Sequence, residues 1–137
     1  MNTSRTVVAI LIVAAAALLA GCSSTQSSVP SVVTFEVADQ ETYSIELVTP
    51  EQVAHVKELM KGSEDGRIPN GKIVRTGDGG VNSPWTWHID PKTLEFVDIT
   101  TEVCDGLPSY VEDKTLTSEW YCPWNAEVID LQPLELD

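Results

Sequence analysis

Basic residues are scarce in this chain of 137 residues, which holds 8 Lys and Arg against 21 Asp and Glu and has a formal charge of −13 at pH 7. Nucleic-acid binding depends on clustered Lys and Arg that neutralise phosphates, so this charge excludes nucleic acid as a partner. It also argues against docking onto anionic lipid headgroups. The acidic balance fits a soluble exported domain, and it leaves cationic partners open.

The motifs of common catalytic and metal sites are also missing. The chain has two histidines and no Gly-x-Ser-x-Gly motif, and neither Cys104 nor Cys122 has a Cys-x-x-Cys or Cys-x-x-His spacing. These absences argue against the nucleophile elbow of a serine hydrolase and against a structural zinc site. We therefore predict no cofactor and no metal. Enzymatic activity stays open, with a non-catalytic role favoured.

One long apolar run is present, over residues 7–20, after a single positive charge at Arg5. It is shorter than the roughly 20 residues that a membrane-spanning helix needs, and it is typical of a secretory signal peptide. The sequence Leu19-Ala20-Gly21-Cys22 that ends it resembles the lipobox of bacterial lipoproteins. This resemblance implies that Cys22 becomes the new N-terminus and carries lipid such as palmitate. A cleaved signal with an incidental cysteine is the alternative.

These features divide the chain into three parts. Residues 1–21 are predicted to be the lipoprotein signal peptide, 22–31 a lipidated flexible tether rich in serine, and 32–137 one folded domain. Two or three acyl chains hold a soluble domain firmly on a bilayer. We therefore expect an exported protein, anchored through Cys22 to the cell membrane or the outer membrane.

Cys104 and Cys122 are the two cysteines left once Cys22 carries lipid. Because export leads to an oxidising compartment, an even pair predicts a disulfide. Closing a loop of this length stabilises a fold by about 3 kcal/mol in the chain-entropy model. Two thiolates that bind a metal are the disfavoured alternative.

Sequence periodicity predicts an α+β fold. Residues 32–37 and 43–48 indicate two strands, with Tyr43, Ile45 and Leu47 on the core face. Thr49-Pro50-Glu51-Gln52 is typical of a capped helix start, so we predict a helix from Pro50 to Lys61 that Gly62 ends. The apolar stripe of this helix is predicted to consist of Val53, Val56, Leu59 and Met60.

The second half of the chain centres on residues 85–96. A strand through Trp85, Trp87 and Ile89, a turn at Asp90-Pro91 and a return strand over residues 94–99 predict a second hairpin. Residues 72–75 and 126–131 add strands, and Asp105 is expected to cap a short helix that ends near Glu112. The predicted fold is a small single α+β domain with antiparallel hairpins, two helices and one disulfide.

His88 and Asp90 lie on one face of the predicted strand, with Glu102 and Asp105 shortly after. An imidazole with carboxylates is suited to general acid–base catalysis or to a metal ion. In the simpler alternative, Asp90 caps its turn, Asp105 caps its helix, and His88 donates a hydrogen bond to one of them. The catalytic set is therefore the alternative hypothesis.

The four tryptophans, Trp85, Trp87, Trp120 and Trp124, are candidates for binding a sugar or peptide by stacking. Large aromatic residues beside a disulfide in a small exported domain are more often core residues. Both roles stay open at this point.

The segments Trp85-Thr86-Trp87-His88-Ile89-Asp90-Pro91, Glu102-Val103-Cys104-Asp105 and Cys122-Pro123-Trp124 resemble a domain named after a slime-mould calmodulin-binding protein. The resemblance covers about residues 43–128 and implies a domain type that also occurs in exported bacterial proteins. It supplies no catalytic residues. Calmodulin targets are normally basic amphipathic helices, which this acidic chain lacks, so the family name does not predict calmodulin as a partner.

We therefore expect a monomeric, lipid-anchored domain that binds an unknown protein or small ligand without catalysis. A small hydrolase or metal-dependent enzyme that uses His88 is the alternative. An inhibitor of extracellular enzymes, acting through an exposed loop near residues 77–83, is a third possibility.

Replacing the lipid-bearing cysteine tests the anchor. We expect the full-length Cys22→Ser variant to leave the membrane fraction and appear as a soluble monomer, because no acyl chain then holds it. Cell fractionation with a high-salt wash measures the distribution. A variant that stays in washed membranes contradicts the assignment.

Overall fold

The computed structural model describes Gly21 and residues 29–135. The predicted signal sequence before Gly21, the Cys22 lipid and the tether up to residue 28 lie outside them. Within the described residues, no helix is long and apolar enough to cross a membrane. The strands and helices in chain order are β1 Ser31–Val37, β2 Glu41–Leu47, α1 Pro50–Met60, β3 Ile68–Val74, β4 His88–Ile89, β5 Glu95–Val97, α2 Pro108–Glu112, β6 Trp120–Tyr121 and β7 Ala126–Pro133.

The first sheet has the antiparallel order β2-β1-β7. Strict alternation along β1 and β2 buries one face, on which Phe35 lies opposite Tyr43 and Val33 opposite Ile45. Both predicted strands are confirmed, and so is the core side of β2. The β1–β7 register shifts once, which leaves Ile129 as an extra residue in the edge strand β7.

The second sheet is built around β3, which pairs with β4, β5 and β6. Both β4 and β5 run antiparallel to β3, so they run in the same direction as each other. The predicted hairpin over residues 85–99 is therefore wrong. The physical reason is that Pro91–Thr93 forms one 3-10 turn, capped by Asp90, that lets the chain continue along β3 instead of reversing.

Helix α1 has the predicted capping box, in which Thr49 and Gln52 each bond the backbone of the other, and Gly62 follows it with a φ of 95°. One predicted inward residue is wrong. Met60 is 52% exposed, since it is the last residue of the helix, and Gln52 is buried in the inward set. The Gln52 amide donates to the Pro91 carbonyl and so joins α1 to the 3-10 turn.

Leu107 is the N-cap residue of helix α2, and its side chain makes no capping hydrogen bond. The predicted Asp105 cap is wrong, because the Asp105 carboxylate accepts a hydrogen bond from Trp124 N instead. A carboxylate from the other half of the molecule takes its place. Glu41 Oε2 accepts from Ser109 N at 2.8 Å in the first turn of the helix.

An aromatic cluster of Tyr43, Trp87, Tyr121 and Phe35 fills the core between the two sheets. Tyr43 and Tyr121 meet edge to face at 5.1 Å between ring centroids, and Trp87 meets Tyr121 in the same way at 5.5 Å. This cluster joins β2 to β6 and to the segment before β4. It makes the two sheets one small α+β domain, as predicted.

Asn82 fastens the segment before β4 to the edge of β2. It is 1% exposed, and its side chain accepts from Ser44 N at 2.8 Å and donates to the Trp87 carbonyl at 2.9 Å. The Trp85 indole adds a third bond by donating to the Thr42 carbonyl. These bonds cover the outer edge of β2. The predicted strand through Trp85 is therefore wrong, because this segment forms a hydrogen-bonded turn instead.

Burial raises the pKa of the hydroxyls of Tyr43 and Tyr121 well above their usual value. Unfolding returns both groups to a pKa near 10. Their contribution to stability is therefore fully present below about pH 10 and is lost as the pH rises above it, where the unfolded chain loses its tyrosine protons first.

Removing the two hydroxyls is expected to change the free energy of unfolding in opposite directions. Tyr43 OH has no hydrogen-bond partner among the described residues, whereas Tyr121 OH donates to the Gly106 carbonyl at 2.9 Å. We expect Tyr43→Phe to raise the free energy of unfolding by about 1 kcal/mol and Tyr121→Phe to lower it by about 1 kcal/mol. Urea unfolding measures both, and equal losses in the two variants contradict this core.

Candidate functional site

The disulfide between Cys104 and Cys122 is present, as predicted. Its Cα atoms are 5.1 Å apart, and Cys122 N donates to the Cys104 carbonyl at 2.8 Å beside it. Both cysteines are buried. The disulfide joins two segments, residues 98–105 and 120–125, that form one side of an open cleft.

Trp124 is the central side chain of this cleft. Its backbone N–H donates to Asp105 Oδ1 at 2.8 Å, and its indole N–H donates to Thr100 Oγ1 at 2.7 Å. Although both nitrogens are bonded, the residue stays 38% exposed. The aromatic surface is therefore held in one orientation and open to solvent.

The opposite wall is the turn after α1, which is fixed at Gly66. The Gly66 carbonyl accepts from His55 Nε2 at 2.9 Å, and the Gly66 N–H donates to Asp98 Oδ1 at 2.6 Å. The His55 ring also stacks on Phe96 with centroids 4.5 Å apart. A Cβ at Gly66, which has a φ of 60°, would lie 2.9 Å from this ring, so a larger residue would displace the ring.

We call the space between these walls the Trp124 cleft. It has a volume of about 280 Å³ and is lined by Glu64, Arg67, Ile68, Asp98, Ile99, Thr100 and Trp124. Ile99 is 86% exposed, and together with the exposed Trp124 it gives the cleft an apolar surface. The cleft therefore combines an apolar surface with carboxylates and one guanidinium.

A second cleft adjoins the first across an ion pair. Arg67 Nη1 lies 2.7 Å from Glu64 Oε2, and both residues line both clefts. The second space, of about 230 Å³, extends between the end of α1 and the start of β7, where Met60 and Glu127 line it. We call the two clefts together the groove.

The groove lies at the end of the first sheet that is farthest from the predicted tether. Ser31, the first residue of β1, pairs with Leu47 and with Pro133, whereas Val37 at the other end pairs with Ala126. A strand of this length spans about 20 Å. Trp124 comes two residues before Ala126, so the groove opens at the end opposite Ser31.

The residues of the alternative catalytic set have separate structural roles. His88 Nδ1 lies 2.8 Å from the Gly77 carbonyl and must carry the proton, because a carbonyl only accepts. Its partner is therefore a backbone group and not Asp90 or Asp105. Asp90 accepts from Lys92 N at 3.1 Å and caps its 3-10 turn.

The remaining two acids do not complete a metal site. Asp105 holds Trp124 N, and Glu102 begins the 3-10 turn Glu102–Cys104 with an exposed side chain. Within residues 29–135, no group of three or more His, Cys, Asp or Glu is placed to hold a metal ion. The structure thus gives His88, Asp90, Glu102 and Asp105 no shared centre of this kind.

The four tryptophans divide between the two roles considered for them. Trp87 is a core residue, and Trp85 is half-buried with its indole bonded to β2. Trp120 and Trp124 are both 38% exposed. Only Trp124 lines the groove, whereas Trp120 pairs across β6 and β3 with Lys72.

Sequence reasoning missed the other groove residues. Glu64 lies in an acidic loop over residues 62–66 and Arg67 follows it, while Ile99 ends the predicted return strand over residues 94–99. No local pattern marks them, because the groove forms only when the turn after α1 meets the segment after β5. The aromatic candidates were the one available signal.

Comparison with known proteins places most of the chain in one family. Residues 30–135 match the family model described as BP-74 N-terminal domain. No curated protein and no solved structure shows a significant match to the chain.

Proposed function

The chain belongs to the family of the BP-74 N-terminal domain, which confirms the resemblance seen in its sequence, and we propose that this domain is part of a lipid-anchored lipoprotein of the cell envelope. Its disulfide-bonded domain binds a partner without catalysis, and the groove is the binding surface. The Cys22 motif supports the anchor. The observation that carries the binding role is that Trp124 is exposed while its indole N–H and its backbone N–H are both hydrogen-bonded.

A rigid, exposed aromatic residue favours binding for an energetic reason. Association costs free energy whenever a flexible side chain becomes fixed, and a side chain already fixed avoids that cost. Tryptophan is also among the residues that most often dominate binding energy in interfaces. Because Trp124 is held by Thr100 and Asp105, it provides apolar surface with little further loss of entropy.

The position of the groove suits an anchored protein. A lipid at Cys22 followed by a short tether leads to Ser31, and the groove opens at the other end of the sheet. The groove then lies at the end of the sheet away from the attachment point, where a partner in the aqueous compartment can reach it. The strongly acidic domain has no need to contact anionic headgroups for this arrangement.

Photo-crosslinking in intact cells tests the binding role. We place a benzophenone side chain at Ile99 of the full-length protein and expect a discrete crosslinked species. Adding Trp124→Ala should reduce it at least several-fold, because the apolar contact next to residue 99 is lost. Gel analysis of the tagged protein measures the yield.

Two matched controls accompany the crosslink. Trp120→Ala removes an equally exposed tryptophan outside the groove and should leave the yield unchanged. A benzophenone at Ile129, which is exposed on the edge of β7, should give no such species. Equal crosslinking from both positions, or equal loss in both tryptophan variants, contradicts the proposed surface.

A further inference from the structure

We propose that the groove binds an extended basic peptide segment with an apolar side chain beside its Lys or Arg residues. This inference rests on the proposed binding function and adds the chemistry of the partner. The groove is defined by the Trp124 cleft and the adjoining cleft beside the start of β7.

The charges of the groove favour a cationic ligand. Glu64, Asp98 and Glu127 line it, whereas Arg67 is its one basic lining residue. Arg67 is already paired with Glu64, so the groove presents a net negative charge. Complementary charge guides a basic segment into this space and disfavours an acidic one.

The ion pair in the middle of the groove yields easily to a ligand. Its side chains are 51% and 77% exposed, and exposed pairs of this kind contribute at most about 1 kcal/mol. A ligand Lys or Arg can therefore replace Arg67 as the partner of Glu64 at little cost in free energy. Because Glu64 lies between the two clefts, a ligand cation bound to it lies between two apolar contact points.

Those contact points are Trp124 with Ile99 in one cleft and Met60 in the other. An aromatic face beside carboxylates suits the alkyl stem and the charge of a basic residue, through apolar contact and cation–π attraction. A methionine adapts its shape to varied apolar side chains. The groove thus fits a segment in which basic and apolar residues alternate.

Other modes of peptide binding fit the molecule less well. Strand addition to the first sheet needs a regular edge, but Ile129 interrupts the register of β7 and Asn82 with Trp85 covers the edge of β2. Nucleic acids and anionic membranes are repelled by the net charge. These arguments favour a basic peptide segment of another protein.

Matched peptides test the inference on the full-length lipidated protein in neutral micelles. We compare fluorescent hexapeptides that alternate Lys with Leu, Glu with Leu, and Lys with Ser. We expect the Lys–Leu peptide to bind at least tenfold more tightly than either of the others, with an affinity that falls as salt rises. Fluorescence anisotropy measures the dissociation constants.

Single charge removals separate the groove from the general acidity of the domain. Glu64→Gln should weaken the Lys–Leu peptide about 2- to 5-fold, the effect of one exposed charge pair. Glu51→Gln makes the same change at the start of α1, outside the groove, and should leave the affinity unchanged. Trp124→Ala should weaken binding more than Trp120→Ala.

Equal effects of Glu64→Gln and Glu51→Gln, or equal binding of the three peptides, overturn the basic-segment inference. If crosslinking from Ile99 succeeds while the Lys–Leu peptide fails to bind, the groove is a binding surface for another chemistry and this inference alone is wrong. If crosslinking fails as well, the proposed function itself is contradicted.

Discussion

The covalent bond between Cys104 and Cys122 is the constraint on which the groove depends. It holds the segment after β5 against the segment before β7, and these two segments supply Ile99 and Trp124. A link of this span removes about 3 kcal/mol of unfolded-state entropy in the chain model, a large share of the stability of a small domain. The same bond therefore stabilises the fold and holds the segment that carries the exposed Trp124.

Both histidines form hydrogen bonds with the backbone of glycine turns. His55 donates to the Gly66 carbonyl and His88 to the Gly77 carbonyl, and a Cβ added at Gly66 or at Gly79 would clash with the His55 or the His88 ring, respectively. His55 contributes to the groove by fixing the turn that carries Arg67.

Local chemistry predicted much of this structure, and long-range pairing accounts for what it missed. The capping box at Thr49 and the alternation in β2 are complete within a few residues, and both were predicted correctly. The direction of β5 and the role of Asp105 depend on partners far along the chain, β3 and Trp124. Asn82 was missed for the same reason, since its buried bonds join Ser44 to Trp87.

Hydroxyl-radical footprinting in cells tests the central claim, that the groove at Trp124 is the functional surface, without knowledge of the partner. Trp120 serves as the internal reference because it is as exposed as Trp124, at 38%. In the purified protein the two tryptophans should oxidise at similar rates. In intact cells we predict that Trp124 is protected and Trp120 is not, whereas the same ratio of oxidation in cells and in isolation would contradict the account.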